Sequence, residues 1–341
     1  MRPLSALLAG IVFAVSVSAR ANAQADVPAP LAQLQETLRS AAATAPGFAA
    51  YAVRDLATGY TSGYNINAVM PAASTIKIPI MVEVFKQMAA GTFDLNRRVE
   101  LLTNDRDWGS GDICDSPVGS TYPVSTLLTQ MITVSDNTAA NMLIRLVGRR
   151  NINATMADLG LHHTHLADYI RTAEWSVRTS LRTTPSDMVH LLSDMAKNQL
   201  IDEWSSKQMI AILEHQEINT LLPEPLPDIP IAHKTGSFDD TLNDVGIVYG
   251  SEPYVIAVMT TNLASLDSGR SFIHRISRVA FTRMEQFGHW RAENGLDSAP
   301  EIETTPAPQT GAADAEAADP SATEQPDVPM WGPTPAPAAT P

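Results

Sequence analysis

The sequence predicts an α/β domain of the α+β type, in which an antiparallel sheet is flanked by helices and carries an inserted all-helical lobe. Two strand-like segments come early, at residues 48–54 and 60–65, and three more come late, between residues 229 and 261. The apolar residues between these two groups recur at helical spacing. Strands separated by a helical block in this way are expected to share one sheet.

The first third of the chain predicts a helix, a hairpin and a second helix. Three leucines between residues 31 and 43 are spaced to form one helical face. Residues 55–59 form the turn of the hairpin. A buried helix is predicted from residue 74, since apolar residues recur there at helical spacing: Ile76, Ile80, Met81, Val84, Phe85 and Met88. The polar segment 101–122 is too long for a simple connection and is predicted to line a site.

The middle of the chain is mainly helical by spacing, and its end returns to strands. Helices are predicted over residues 124–134, 138–147, 151–159, 185–195 and 202–215. No clean period runs through residues 161–184. After a proline-rich turn, the remaining predictions are strands over residues 229–234, 241–250 and 254–261 and a closing helix over residues 271–287.

The first 23 residues have the pattern of a secretory signal. Arg2 precedes an apolar run over residues 6–15, and Ala21-Asn22-Ala23 offers a cut after Ala23. The apolar run is too short to span a bilayer, so no membrane span is expected in the mature protein. Residues 1–23 are therefore predicted to be a signal peptide, and the protein is expected to be periplasmic or secreted.

The other end of the chain differs in composition from the rest. Residues 298–341 consist mainly of Pro, Ala, Thr and acidic residues and are predicted to be a disordered tail. Residues 24–297 form the predicted catalytic domain, with the helical lobe at roughly 88–225. The formal net charge is −14, which argues against a nucleic-acid partner.

A candidate nucleophile, Ser74, lies at the start of the first buried helix. Serine attacks a carbonyl at neutral pH only when a neighbouring base accepts its proton, and lysine can be that base. Lys77 follows three residues later, and positions i and i+3 share one face of a helix. Ser74 and Lys77 are therefore predicted to point in the same direction.

Two further motifs follow in order, Ser135-Asp136-Asn137 and Lys234-Thr235-Gly236. Together with Ser74-Thr75-Ile76-Lys77 they resemble the three-motif set of class A β-lactamases and penicillin-binding proteins. Other residues near the third motif also resemble that family: His233, Ser237 and residues 241–245. The resemblance covers about residues 31–287 and implies a β-lactamase/transpeptidase-like fold.

The resemblance implies catalytic roles for Ser74, Lys77 and Ser135. Ser74 would attack the carbonyl of a strained cyclic amide and form an acyl-enzyme, with Lys77 holding or accepting its proton. Lysine can be a base only if its pKa falls, which burial and a second cation such as Lys234 would favour. Ser135 would pass a proton to the departing nitrogen.

The remaining motif residues would bind the substrate. Asn137 would form a hydrogen bond with its side-chain amide, and Lys234 and Thr235 would bind its carboxylate. Gly236 would let the strand edge pass close to the substrate. The main-chain amides of the nucleophile and of Ser237 would form the oxyanion hole. By the same resemblance, neither a metal nor an organic cofactor is required.

The loop after the second motif departs from the β-lactamase pattern. In β-lactamases of this family a glutamate, followed four residues later by asparagine, activates the water that removes the acyl group. That pair is absent between residues 161 and 185. Glu174 is the only glutamate available there, and Asp168 lies nearest the expected position when residues are counted back from Thr183-Thr184-Pro185. Glu174 and Asp168 both remain catalytic candidates for deacylation.

Three histidines lie close together in the same loop, at positions 162, 163 and 165. Closely spaced imidazoles can bind zinc, but a metallo-hydrolase needs further ligands elsewhere. The other histidines are scattered singly along the chain. No metal site is predicted.

The sequence thus predicts an exported serine β-lactamase that hydrolyses β-lactam antibiotics through an acyl-enzyme on Ser74. Two alternatives stay open. One is a D-alanyl-D-alanine peptidase or penicillin-binding protein that acts on cell-wall peptides, and the other is a binding module that senses lactams or muropeptides. The expected partner is a small β-lactam or D-Ala-D-Ala-like substrate, and the protein is expected to be a monomer.

Overall fold

The computed structural model describes residues 28–174 and 176–296, so the predicted signal peptide and acidic tail lie outside the described residues. Its helices are α1 Ala29–Ala42, α2 Lys77–Ala89, α3 Val124–Thr133, α4 Asn137–Val147, α5 Arg149–Asp158, α6 Val177–Ser180, α7 Pro185–Ala196, α8 Glu203–Glu214 and α9 Leu266–Glu293. Its strands are β1 Phe48–Asp55, β2 Thr61–Tyr64, β3 Met70–Pro71, β4 Arg98–Glu100, β5 Thr121–Pro123, β6 His165–Leu166, β7 Leu181–Thr183, β8 Ile231–Phe238, β9 Thr241–Val248 and β10 Tyr254–Thr261.

The main sheet joins the two ends of the described chain. Its five strands are all antiparallel and have the order β2-β1-β10-β9-β8. Strand β1 pairs along its whole length with β10, from Phe48 opposite Thr261 to Asp55 opposite Tyr254. Helices α2 to α8 all lie between β2 and β8 in the sequence. The predicted α+β fold is confirmed.

Helices cover both faces of the sheet. Alternate residues of a strand point to opposite faces, so β10 contributes Val255 and Ala257 to one apolar core and Ile256 and Val258 to the other. The second core is completed by α1 and α9, through residues such as Leu38. The first core contains the buried faces of α2 to α5, α7 and α8. Strands β9 and β10 are buried along their whole length, which makes them a rigid base for the site.

The short strands β3, β4 and β5 were not predicted, and three other segments also differ from the sequence-based expectations. The nucleophile segment begins as a 3₁₀ turn, Ala73–Ile76, and α2 starts only at Lys77. The aperiodic stretch 161–184 contains β6, β7 and the one-turn helix α6. Helix α9 begins at Leu266, five residues before the predicted start, because the Ser265 side chain accepts a hydrogen bond from the Ser268 amide and caps it. Within the described part of the chain, no helix combines the length and apolar character needed to cross a membrane.

Candidate active site

The turn that carries the candidate nucleophile Ser74 is held against the edge of the main sheet. Asn243 of β9 donates hydrogen bonds through Nδ2 to the Pro71 oxygen at 2.8 Å and the Ala72 oxygen at 3.2 Å. A Cβ atom on Gly236 would lie 2.9 Å from the Ser74 amide nitrogen, closer than side chains normally approach. Gly236 therefore lets β8 pack directly on the turn that carries Ser74.

The turn also holds a strained residue immediately before the nucleophile. Ala73 has φ of 47°, in the left-handed region that costs a residue with a side chain about 1 kcal/mol or more. Ala73 is buried, so its packing maintains this conformation, while the Ser74 side chain is partly exposed and lines a pocket. The strain is thus located where the chain presents its candidate nucleophile.

Lys77 is fully buried and contacts two residues that line this pocket, Ser135 and Asn137. Its Nζ donates hydrogen bonds to the Ser135 oxygen at 2.6 Å, to Ser135 Oγ at 3.0 Å and to Asn137 Oδ1 at 2.6 Å. Burial lowers the pKa of Lys77 well below its ordinary value, and the neighbouring Lys234 charge lowers it further, against the opposing effect of two carboxylates. The predicted lowering of the Lys77 pKa thus has both of its expected causes, burial and a second cation.

Ser135 connects the two buried lysines. Its Oγ also accepts a hydrogen bond from Lys234 Nζ at 3.2 Å, and Lys234 donates to the Thr235 oxygen at 3.0 Å. Lys234 is fully buried, and burial lowers its pKa to about 7 despite the charge of Asp244. The first, second and third motifs therefore meet at one hydroxyl group.

The Ser135-Asp136-Asn137 motif is shaped by the start of α4. Ser135 has φ of 62°, a left-handed conformation that turns the chain into the helix. The Asp136 side chain accepts hydrogen bonds from the Ala139 amide at 2.7 Å and the Ile113 amide at 3.0 Å, so it caps the helix. Asn137 then begins the helix and directs its amide oxygen at Lys77. Each residue of the motif has a separate structural role.

The pocket combines all three motifs with two loops. The motif and β8 residues that line it are Ser74, Ser135, Asn137, Thr235, Gly236, Ser237 and Phe238. Gly109 and Ser110 belong to the segment 101–122, which was predicted to line a site. Ile170, Thr172 and Leu181 come from the aperiodic segment and complete the wall. Among the described residues that line this pocket, none is an aspartate or a glutamate.

The two carboxylates proposed for deacylation lie away from the pocket lining. Asp168 is exposed, accepts a hydrogen bond from the Tyr169 amide at 2.8 Å and lies 3.8 Å from Arg149. Glu174 is also exposed and accepts a hydrogen bond from Ser176 Oγ at 3.2 Å. The structure therefore brings together the residues of the three motifs and leaves Glu174 and Asp168 outside the group.

The pocket wall from the aperiodic segment is fixed by a residue of α4. Asn141 Nδ2 donates a hydrogen bond to the Ile170 oxygen at 3.0 Å, and Asn141 Oδ1 accepts one from the Ile170 amide at 2.8 Å. Ile170 is thereby held as a buried apolar part of the wall that Ser74 also lines.

No sequence pattern marks Ile170, Asp107 or Thr172 as a site residue. Asp107 lies in the predicted rim segment and accepts hydrogen bonds from Asn137 and Thr172. A buried aspartate in a loop gives no periodic signal, so only its position in the rim segment pointed to it. Within the described part of the chain, no group of three or more His, Cys, Asp or Glu side chains is arranged to hold a metal ion.

Comparison with known proteins agrees with this geometry. A model of the β-lactamase enzyme family matches residues 33–284. A β-lactamase from Sphaerobacter thermophilus is 30% identical, with a TM-score of 0.67, over 73% of this chain and 95% of that chain. A leucine-to-glutamate variant of PBP-A, solved as an acyl-enzyme with penicillin G, is 28% identical, with a TM-score of 0.70, over 75% and 97%. The TLA-3 extended-spectrum β-lactamase shares the fold at 20% identity, with a TM-score of 0.70, over 75% and 99%. The chain therefore belongs to the β-lactamase enzyme family and is a serine hydrolase of the β-lactamase and penicillin-binding-protein type.

Proposed function

We propose that the protein hydrolyses β-lactam antibiotics through an acyl-enzyme on Ser74. The observation that carries this proposal is the convergence of the Lys77 and Lys234 ammonium groups on Ser135 Oγ, at 3.0 and 3.2 Å, beside a pocket that Ser74 lines. Two buried cations at one hydroxyl repel each other, so one of them readily exists as a neutral amine. Nucleophilic attack by Ser74 requires a base such as a neutral amine, and Lys77 follows Ser74 by three residues in the chain.

The acylation step follows from the hydrogen bonds around Lys77. When Lys77 is neutral, its nitrogen keeps two N–H donors for its oxygen acceptors and has a lone pair that can accept the Ser74 proton. The Ser74 oxygen then forms a bond to the lactam carbonyl carbon, and the carbon–nitrogen bond of the ring breaks after the tetrahedral intermediate. The developing negative charge is expected to be stabilised by the Ser74 and Ser237 amides, an effect usually worth a few kcal/mol.

Ser135 is well arranged to protonate the leaving nitrogen. Its oxygen accepts hydrogen bonds from both lysines, so its own O–H hydrogen remains available for a third partner. Ser135 also lines the pocket. The proton that Lys77 removed from Ser74 can therefore pass through Ser135 to the nitrogen, which restores both residues for the next step.

The third motif supports binding of the substrate carboxylate. Thr235 and Ser237 line the pocket, and Lys234 lies directly behind them with its positive charge. A carboxylate in this position would receive two hydroxyl hydrogen bonds and one favourable charge interaction. Asn137 Nδ2 has a second N–H hydrogen beyond the one donated to Asp107, and that hydrogen is proposed to bind the carbonyl of the substrate side chain.

Export is part of the proposal. Residues 1–23 have the charge, apolar run and small-residue pattern of a secretory signal. We propose that the mature protein is periplasmic or secreted, where it would meet both lactams and cell-wall peptides. Expression of the full chain followed by N-terminal sequencing should give a mature start at Gln24, and a retained Met1 would contradict the proposal.

A second candidate function is a penicillin-binding-protein-like D-alanyl-D-alanine peptidase. Ile170 favours it, because this buried isoleucine lines the pocket in the loop where β-lactamases carry their water-activating glutamate. A lactam acyl-enzyme without a nearby carboxylate has no obvious base for the attacking water. Lactams would acylate such an enzyme rapidly, and the acyl group would be released slowly. Its natural substrate would be a peptide.

One experiment separates these functions. Purified mature protein is mixed with a chromogenic cephalosporin, and both the colour change and the intact mass are followed over time. Sustained turnover supports the β-lactamase, whereas a lasting adduct on Ser74 supports the peptidase or a lactam-sensing module. The Ser74→Ala variant should lose adduct and turnover while keeping its circular dichroism spectrum. If wild-type protein gives no adduct and no turnover, the proposed function is wrong.

A further inference from the structure

Asp107 joins three segments of the active site, although it belongs to none of the three motifs. Its side chain is buried and accepts four hydrogen bonds. The donors are the Gly109 amide at 3.0 Å, Asn137 Nδ2 at 2.8 Å, the Thr172 amide at 2.7 Å and Thr172 Oγ1 at 2.7 Å. The rim segment, the second motif and the loop that carries Ile170 therefore meet at one carboxylate.

The first consequence concerns the orientation of the Asn137 amide. A carboxylate only accepts hydrogen bonds, so Asp107 can face the Nδ2 end of Asn137 but not its oxygen. The oxygen then faces Lys77 Nζ at 2.6 Å. The reversed amide would place its oxygen against the carboxylate and its N–H groups against the ammonium group, and both contacts would be repulsive. Asp107 thus determines which atom Asn137 presents to Lys77.

The second consequence concerns the pocket wall. Asp107 binds both the amide and the hydroxyl group of Thr172, which lines the pocket two residues after Ile170. Gly109 lies so close to Thr172 that a Cβ atom there would collide with its side chain. Asp107 itself is fixed, because its amide donates a hydrogen bond to Thr138 Oγ1 at 3.1 Å. The wall is therefore anchored to the start of α4 through Asp107.

We propose that Asp107 is a positioning residue for acylation at Ser74: it orients the Asn137 amide, and through it the Lys77 amine, and it anchors the Thr172 wall against the pocket. This inference rests on the acylation proposed above. It concerns geometry in the free protein, so part of it can be measured without any substrate.

The charges around Lys77 allow a test that distinguishes a positioning role of Asp107 from a purely structural one. Lys234, Asp136 and Asp107 are the charged groups that act on Lys77. Asp136 accepts hydrogen bonds from the Ala139 and Ile113 main-chain amides, whereas Asp107 accepts one from Asn137, the side chain that also accepts from Lys77. The negative charge of Asp107 favours the protonated lysine, so its removal should lower the pKa of Lys77.

The acylation rates of Asp107→Asn and Asp105→Asn with a penicillin are compared over a series of pH values. Adduct formation is followed by intact mass. Asp105 is also buried and lies two residues away, but its side chain accepts hydrogen bonds from Arg145 at 2.9 Å and none from Asn137 or Thr172 among the described contacts. Asp107→Asn should slow acylation at its plateau by about tenfold or more, as expected for misaligned reacting groups, and should move the acid limb to lower pH. Asp105→Asn should leave the acid limb unchanged.

Hydrogen exchange of residues 170–174 gives the readout that needs no substrate. The Thr172 amide should exchange faster in Asp107→Asn than in wild-type protein or Asp105→Asn. Thr172→Val removes only the hydroxyl hydrogen bond to Asp107 and replaces Asp107→Asn in this test if that variant does not fold. A smaller increase in the exchange rate at position 172 is expected for it. A wild-type protein that forms no adduct would refute the proposed function and the acylation part of this inference, and the exchange data would then decide only whether Asp107 anchors the Thr172 wall. Unchanged exchange, or a folded Asp107→Asn variant with the wild-type rate and acid limb, would overturn it.

Discussion

Lys77 of the first motif and Lys234 of the third motif both donate hydrogen bonds to Ser135 Oγ, the hydroxyl oxygen of the second motif. Both side chains are fully buried, and burial lowers the pKa of each. Their tasks in the proposed mechanism differ, because Lys77 must be neutral to accept a proton while Lys234 must be charged to bind a carboxylate. One site therefore needs two lysines in opposite protonation states.

This requirement predicts a bell-shaped pH dependence of kcat/KM for a lactam that carries a carboxylate. The acid limb should report the deprotonation of Lys77, whose pKa lies well below its ordinary value. The alkaline limb should appear above about pH 7 as Lys234 loses its charge. Stopped-flow or steady-state measurements between pH 5 and 10 would test it. A neutral lactam ester is the control and should lack the alkaline limb, so the same limb in both substrates would assign it to another group.

The pocket wall gives a prediction about deacylation. Ile170 is buried and lines the same pocket as Ser74, so Ile170→Glu would place a carboxylate in the pocket, where none is present among the described lining residues. If deacylation lacks a general base, this variant should shorten the lifetime of the acyl-enzyme by about 10²-fold. The lifetime is measured by intact mass after excess lactam is removed. Ile170→Gln has the same size without a basic group and should show no such gain; an equal gain would point to pocket hydration instead.

The two carboxylates suggested by the sequence are expected to have little influence on that lifetime. Asp168 faces Arg149 at the surface, and Glu174 accepts a hydrogen bond from Ser176, so neither reaches the pocket lining. Asp168→Asn and Glu174→Gln should therefore keep the acyl-enzyme lifetime within about twofold of wild type, since surface changes away from a site have small effects. A lifetime more than tenfold longer in either variant would identify that carboxylate as the base.

The sequence was most informative where chemistry depends on short local patterns. Ser74 and Lys77 share a turn, and Asp136 caps the helix that Asn137 begins, so these geometries follow from neighbouring residues. The pairing of strands from the two ends was also predictable, because two groups of strands separated by a helical block are expected to share one sheet.

What could not be predicted depends on contacts between distant loops. The wall position of Ile170 is set by one hydrogen bond that Asn141 donates and one that it accepts, and the role of Asp107 by the bonds that it accepts from Asn137 and Thr172. Counting residues along an aperiodic loop therefore suggested Asp168, and the need for a glutamate suggested Glu174, whereas the fold of that loop turns an isoleucine inward. Loop conformation is a tertiary property, and no local period encodes it.

The last prediction concerns stability away from the site. Glu252 is almost fully buried, and burial together with the nearby Asp55 charge raises its pKa to about 7, despite Arg291. Between the ordinary pKa of a glutamate and pH 7, Glu252 keeps its proton in the folded protein and has lost it in the unfolded chain. Stability therefore falls as the pH rises through this window. Glu252→Gln removes this pH dependence. The free energy of unfolding of the variant minus that of wild type should therefore be about 1 to 3 kcal/mol larger at pH 8 than at pH 4.5. Urea unfolding of both proteins, with the exposed Glu217→Gln as control, would measure it. An equal difference at the two pH values would show that Glu252 ionises normally.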